Sequence, residues 1–269
     1  MNGFAAFLDK QPLWLFMLSL FLAFIVAREL GGWVHRRVHG PDGERADEES
    51  AKGLVLSGLL GLLALLIGFT FSLSLNRYDV RRAIVVEEAN TIGTAEMRVR
   101  LLASPDDARL ARMLQDYART RLSYGMSDEG KPEFAAKSAV QRSELQTAAI
   151  AVLKPEARTP LASLVTPSIN SVLDIGVERE ALNAARIPGI IIFVLILYNL
   201  LTAAMLGYAL TGHRARQRAA TIMLFALLTL AIALILDLDR PQRGTIRVDQ
   251  TPMQQLVDGF APIPQASLR

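Results

Sequence analysis

The chain contains no cysteine. That excludes a disulfide framework, an iron–sulfur cluster and a thiol nucleophile. Histidine is almost as scarce, with only His35, His39 and His213. His35 and His39 stand four apart, the spacing of a metal pair on one helical face. No Asp or Glu occupies a recognisable third-ligand position beside them, so no metal site or cofactor is expected. The two are read as interfacial loop residues near a membrane. Also missing are a Walker loop, a Gly-x-Ser-x-Gly elbow and a His-Glu-x-x-His pair, and no paired acids fall in a likely cleft, so an enzyme is not expected. The net charge is only +3 and no long basic patch exists, which makes nucleic acid a poor partner. The basic residues sit beside apolar runs, where phospholipid headgroups would meet them.

Apolar sequence is what the chain has in quantity. Hydrophobic residues make up 51% and charged residues 20%, and the charges are nearly absent from four windows. These windows run from about Pro12 to Trp33, Gly53 to Leu75, Ile187 to Leu210 and Ala219 to Leu236. Each is about 18–24 residues, enough to cross roughly 30 Å of hydrocarbon. A signal peptide is the competing reading of the first window, but Asp9 and Lys10 make a weak n-region and no clean small-x-small cleavage site follows. Arg28 and Glu29 near its end suit snorkelling to headgroups, and Trp33 suits the aromatic belt. Four such helices in so short a chain leave no polar shell to cover them, which selects the membrane over a soluble core.

The expected fold is therefore an all-α membrane protein with four transmembrane helices and a helical extramembrane domain inserted between the second and third. Residues 1–75 hold the first two spans, 76–186 the helical domain, 187–238 the last two spans and 239–269 a tail packed on the domain. No proline interrupts Lys52 to Ser104, so the second span is expected to continue as one helix well beyond the bilayer through Ile84, Val85, Ala89 and Ile92. Ser104-Pro105-Asp106-Asp107 starts a new helix, and Thr159-Pro160 repeats the signal. Pro167 and Pro188 are expected to kink or break the last helix of the domain. The stretch Gly244 to Gln250 alternates weakly before Thr251 and Pro252 open a short helix.

An even number of spans puts both termini and the long segment on one side. Arg214, Arg216 and Arg218 in the third loop have no acid among them, so the short loops lean cytoplasmic and the helical domain falls outside. Arg77, Arg81, Arg82, Arg240 and Arg243 on the other side argue the reverse.

Two features of the second span carry candidate function. Ser57, Gly61, Ala64, Gly68 and Ser72 recur three or four apart and form a narrow small-residue face. Such a face either lets helices of the chain approach closely or lines a narrow pathway around an oligomer axis. Phe69 and Phe71 flank it and could form an apolar constriction that gates by dewetting. The span ends in Asn76-Arg77-Tyr78-Asp79, then Arg81 and Arg82. Arg77 and Arg81 are i, i+4 neighbours that repel along a helix. The fourth span ends on the same side with Asp237-Leu238-Asp239-Arg240, so a network of Arg77 or Arg81 with Asp237 or Asp239 is expected, either clamping two helix ends or selecting ions.

The run Gly68-Phe69-Thr70-Phe71-Ser72-Leu73-Ser74-Leu75-Asn76-Arg77-Tyr78-Asp79, followed by Arg81-Arg82 and Glu87-Glu88-Ala89-Asn90-Thr91-Ile92-Gly93-Thr94-Ala95, resembles the signature of the bacterial bestrophin-like membrane proteins, a domain family of unknown function. Asp237-Leu238-Asp239-Arg240-Pro241 with Arg243-Gly244 and Ile246-Arg247-Val248 resembles its second signature. The resemblance extends, more distantly, to bestrophins, which are pentameric anion channels with four spans per subunit, a helical cytosolic domain and a pore lined by the second span. It implies a homo-oligomer, a pentamer by analogy, in the bacterial inner membrane. The charge count of the loops leans instead to a periplasmic helical domain. The pore aromatics and calcium-clasp acids of bestrophins have no position-by-position match here.

Two functions follow as expectations. One is an oligomeric ion channel passing inorganic ions, with Ser72, Asn76 and Arg77 near the pore mouth, Arg77, Arg81 and Arg82 favouring anions, and Glu87 and Glu88 blurring that preference. The other is a non-conducting sensor or scaffold that binds a ligand or partner through the helical domain.

Overall fold

The computed structural model describes residues 12–39, 46–102, 107–127, 132–154, 160–210, 215–240 and 244–260. Every regular element among them is a helix: α1 (Leu13–His39), α2 (Ala46–Val99), α3 (Asp107–Met126), α4 (Pro132–Leu153), α5 (Pro160–Ala184), α6 (Gly189–Ala209), α7 (Ala215–Asp239) and α8 (Thr251–Asp258). Helical stretches within Leu13–Val38, Ala51–Val99, Pro160–Ala209 and Arg218–Asp239 are long and apolar enough to cross a membrane. The chain divides into two compact units, Met1–Arg77 with Arg186–Arg240 and Tyr78–Ala185 with Pro241–Arg269.

The first unit is held by α1 packing on α6 and α7. Phe16, Leu20, Phe24, Leu195, Phe225 and Ile232 form its core. Its outer surface is equally apolar, with Leu22, Leu54, Leu62, Leu201, Leu227 and Leu230 exposed. That inversion of the usual surface suits a hydrocarbon solvent. Two glycines set the crossing of α1 and α6. A Cβ on Gly31 would collide with the carbonyl oxygen of Ala204, and one on Gly207 with that of Arg28. The backbones therefore touch, as small residues at i and i+4 allow: Ala27 and Gly31 on one helix, Ala203 and Gly207 on the other. Tyr198 Oη donates to Leu59 O at 3.2 Å and ties α6 to α2.

In the second unit α3 packs on α4 and α8, and α4 packs on α5. The α2 residues Val85, Ala89, Ile92, Ala95 and Val99 enter the same core, a face repeating every three or four residues. Met253 of α8 is buried in that core, with Val248, Leu256 and Phe260 packed against it. Leu256 of α8 reaches Gly93 of α2, where an added Cβ would stand 3.0 Å from Leu256 Cδ1.

The proline expectations divide. Pro188 sits in the break between α5 and α6, whereas α5 continues through Pro167. The carbonyl that loses its donor to Pro167 belongs to Ser163, which is exposed, so water can replace the missing bond. Proline opens α5 at Pro160 as expected, while Ser104, Pro105 and Asp106 lie outside the described residues. The weak alternation of Gly244 to Gln250 makes no strand.

Candidate functional site

Among the described residues, the small-residue face of α2 is left open. Ser57, Gly61, Ala64, Gly68, Ser72 and Asn76 are all exposed. A Cβ added at Gly61 or Gly68 would meet nothing within 4 Å. The polar atoms behind the face are satisfied by the helix itself: Thr70 Oγ1 donates to Leu66 O at 2.7 Å and Ser74 Oγ to Thr70 O at 3.1 Å. Of the flanking aromatics, Phe69 is 68% exposed, whereas Phe71 packs against the core of the unit. Beside the face, Ala64, Ile67 and Gly68 line an apolar groove of about 560 Å³ opposite Leu224, Leu228 and Ala231 of α7.

The arginines that follow in α2 are already engaged. By the helical step of about 100° per residue, Arg77 and Arg81 lie on the opposite side of α2 from the small residues. Arg77 is half-buried, and its Nε has no hydrogen-bond partner. Arg81 is buried; its Nε donates to Leu182 O at 3.2 Å and its Nη2 to Ala185 O at 2.6 Å. These are carbonyls at the end of α5, which a helix leaves without internal donors, and a cation there also complements the helix dipole. Arg82 is exposed and lies near Asp249. The Asp249 carboxyl is held below its ordinary pKa chiefly by the Thr251 hydroxyl and backbone N–H, with Arg82 adding to the effect.

The second signature acts at the other end of the break between α5 and α6. Both carboxylate oxygens of Asp239 accept from the Ile187 N–H, at 3.2 and 3.1 Å. Arg240 N donates to Asp237 O at 3.1 Å and closes the end of α7. Asp237, Asp239 and Arg240 are all buried.

Glu88 departs from expectation. It does not face outward to influence passing ions; it is wholly buried in the second unit. There it accepts from Arg121 Nε at 2.6 Å and from Arg179 Nη1. Arg121 Nη1 reaches Glu180 at 2.7 Å, and Arg142 holds the same carboxylate by both oxygens at 2.7 and 3.0 Å. Arg179 Nη2 donates to Gln250 Oε1 at 2.7 Å, which joins the C-terminal segment to the network. Tyr124 lies against Arg121 and Arg179, 4.9 and 5.7 Å from its ring centre. Burial opposes the charge of Arg121, yet Glu88, Tyr117 and Glu180 hold its pKa above the usual arginine value. The network needs two bare backbones. A Cβ on Gly125 would strike Gln250, and one on Gly176 would strike the Tyr117 hydroxyl.

Besides Arg82, two acids stand outward on α2 beyond Asn76. Asp79 and Glu87 are exposed and pair with no cation among the described residues. Glu87 lines a groove with Ala83, Val86, Asn90, Thr91, Thr94, Ser168 and Ser171. Arg98, at the far end of that groove, turns onto Ser168 Oγ at 2.6 Å.

The sequence reading missed Arg121, Arg142, Arg179 and Glu180. The only local signal was that Glu88 shares its helical face with Val85 and Ile92, and its partners lie 33 and 91 residues away. Of the histidines, His35 sits edge-on to Tyr208 at 5.1 Å between ring centres, while the His39 side chain and His213 fall outside the described residues.

A model of the bestrophin-like domain matches residues 15–253. The chain belongs to the bestrophin-like family. No curated protein matches it. Among solved structures, a bestrophin homologue from Klebsiella pneumoniae carrying a tryptophan-to-alanine mutation is similar over 93% of this chain and 98% of its own, with 14% identity and a TM-score of 0.66. A second structure of that homologue covers 91% of this chain and 98% of its own at 16% identity and a TM-score of 0.61. A structure described as a membrane protein with a proline-to-alanine mutation covers 90% and 97% at 14% identity and 0.62. At these identities the likeness concerns the fold. This bestrophin-like chain is thus an all-helical membrane protein with four long apolar helices.

Proposed function

We propose that this bestrophin-like protein assembles with copies of itself, as a pentamer by analogy, into a channel for inorganic ions, with the small-residue face of α2 lining the pathway. The observation that supports it most is the exposed line Ser57, Gly61, Ala64, Gly68, Ser72 and Asn76, where added Cβ atoms at Gly61 and Gly68 meet nothing. A face so stripped of bulk and so unused within one chain suits narrow passage about an axis. Phe69, exposed beside it, would supply an apolar constriction. The second unit is then the extramembrane domain. The protein would sit in the bacterial inner membrane by analogy, and loop charge favours a periplasmic place for that domain.

Flux through liposomes holding the purified protein tests conduction, and mass in nanodiscs tests assembly. Gly61→Leu or Gly68→Leu should close the pathway or weaken the oligomer. A monomer in both mild detergent and nanodiscs would remove the axial pathway and leave the scaffold reading. For orientation, a cysteine at the exposed Asp116 should react with an impermeant reagent on intact spheroplasts. Reaction only after permeabilisation would put the domain in the cytoplasm.

A further inference from the structure

Buried hydroxyls in these helices bond their own backbone. Thr70, Ser74, Thr120, Ser168, Thr202 and Thr229 each donate to the carbonyl four residues back. Ser138 of α4 is 0% exposed, yet its Oγ bonds neither the Phe134 carbonyl nor any other group among the described residues. One turn on, Gln141 Oε1 is also buried and has no partner among them. The backbone bond open to any helical serine is thus given up at Ser138, and a second polar atom beside it is left for something else to satisfy.

Both residues lie where three helices meet. α4 packs on α3 and on α5, and Ser138, Arg142, Leu145 and Ala149 share its inward face at helical spacing. Arg142, one turn from Ser138, holds Glu180 of α5 by both oxygens. It also stands beside the Tyr117 hydroxyl of α3, since a Cβ on Gly176 would meet both. Burying a hydroxyl and an amide oxygen with no partner is costly in such a place.

The surrounding charge limits what can meet them. A cation would sit one turn from Arg142, in a network of three arginines against two glutamates. An anion would face the Gln141 carbonyl oxygen, which itself only accepts. The ligand that fits is small, neutral and able to donate to Gln141 while either donating to or accepting from Ser138. Water meets each condition, and a buried water makes about three hydrogen bonds.

We propose that Ser138 Oγ and Gln141 Oε1 form an internal hydration site, in which one ordered water donates to Gln141, bonds Ser138 and keeps one further bond to tie α4 to its neighbours. The site lies within the second unit and stands whether or not the chain conducts.

Thermal melts of the full-length protein in detergent test the site, with Ser138→Ala, Gln141→Met and the double substitution. Ser143→Ala and Gln146→Met, on the exposed side of α4, carry the same changes in helix propensity and serve as references. Relative to these, each inward substitution should lower the melting temperature by about 2 °C or more, because the water loses a partner. The double substitution should fall no further than about 1 °C below the lower single one, since both remove the same water. A high-resolution structure should place a non-protein oxygen within hydrogen-bonding distance of both atoms. A melting temperature at or above the reference for either single substitution is what removing an unsatisfied polar atom would give, and it overturns the proposal. So do additive losses, or a structure in which the Ser138 hydroxyl donates to Phe134 O and no such oxygen is found.

Discussion

The carbonyl oxygen of Ala204 on α6 fills the place that a side chain would take on Gly31 of α1. Gly207 and Arg28 repeat the arrangement one turn away with the roles of the helices exchanged. Gly31→Ala or Gly207→Ala must push two backbones apart, with no flexible side chain able to yield. Either should destabilise the folded protein by about 3 kcal/mol or more, the upper part of the range for overpacking. Gly61→Ala, on the open face, should leave it nearly unchanged. Thermal melts in detergent compare the three directly, and equal losses would mean that the α1–α6 crossing is not the close one.

Glu87 and Glu88 are adjacent in sequence and opposite in consequence. Glu88→Gln removes the counter-charge of Arg121 and Arg179 inside the core, and breaking a buried pair of this kind costs about 3–5 kcal/mol. Glu87→Gln on the exposed side should cost about 0.5 kcal/mol or less. A double-mutant cycle of Glu88 with Arg121 should give a coupling of at least about 1 kcal/mol; additive losses would separate the two residues.

Arg81 closes the end of α5 through two carbonyls. Arg81→Ala should cost about 1–3 kcal/mol by leaving buried acceptors unsatisfied. Arg81→Lys should recover only part of that, because one ammonium cannot reproduce the guanidinium fork. Hydrogen exchange should show the loss first at Leu182 to Ala185. A loss spread evenly over the unit would argue against a local cap.

Tyr117 offers a test by pH. Burial raises its pKa above the ordinary tyrosine value, against the opposing pull of Arg121 and Arg142. The folded state thus holds the proton more tightly than the unfolded chain does. The stability linked to that proton is complete below the unfolded value of about 10 and is lost as pH rises through the folded one. Tyr117→Phe should flatten the decline in melting temperature above about pH 10. An unchanged alkaline limb would assign that decline to other groups.

The sequence made the spans, the long second helix and the proline starts visible because each depends on neighbours within a few residues. Uncharged windows, absent prolines and helical spacing are local facts. The α1–α6 crossing left a fainter trace in Ala27 with Gly31 and Ala203 with Gly207, and the richer stripe on α2 drew attention from it. At Arg81 the sequence pointed to a clamp at a helix end or an ion contact, but the two carbonyls it holds lie about a hundred residues on and could not be named from the sequence. The same limit hid the partners of Glu88. Glu88 was expected to meet passing ions; the face it shares with Val85 and Ile92 was the one local sign that it turns inward, and which arginines would meet it depended on how α3 and α5 pack.

The C-terminal segment enters the core of a unit whose other residues are made much earlier. Met253 is buried among α2 and α3 side chains, and Gln250 holds Arg179. Translation delivers Tyr78 to Ala185 first, then the two last apolar helices, and only afterwards these two residues. The nascent unit must therefore wait, with an apolar socket open where Met253 will sit and Arg179 short of one acceptor, until α6 and α7 have been made. Completion of this core is thereby timed by insertion of α6 and α7. A ribosome stalled before Gln250 would leave on the membrane a chain that quality-control proteases can recognise by its vacant socket.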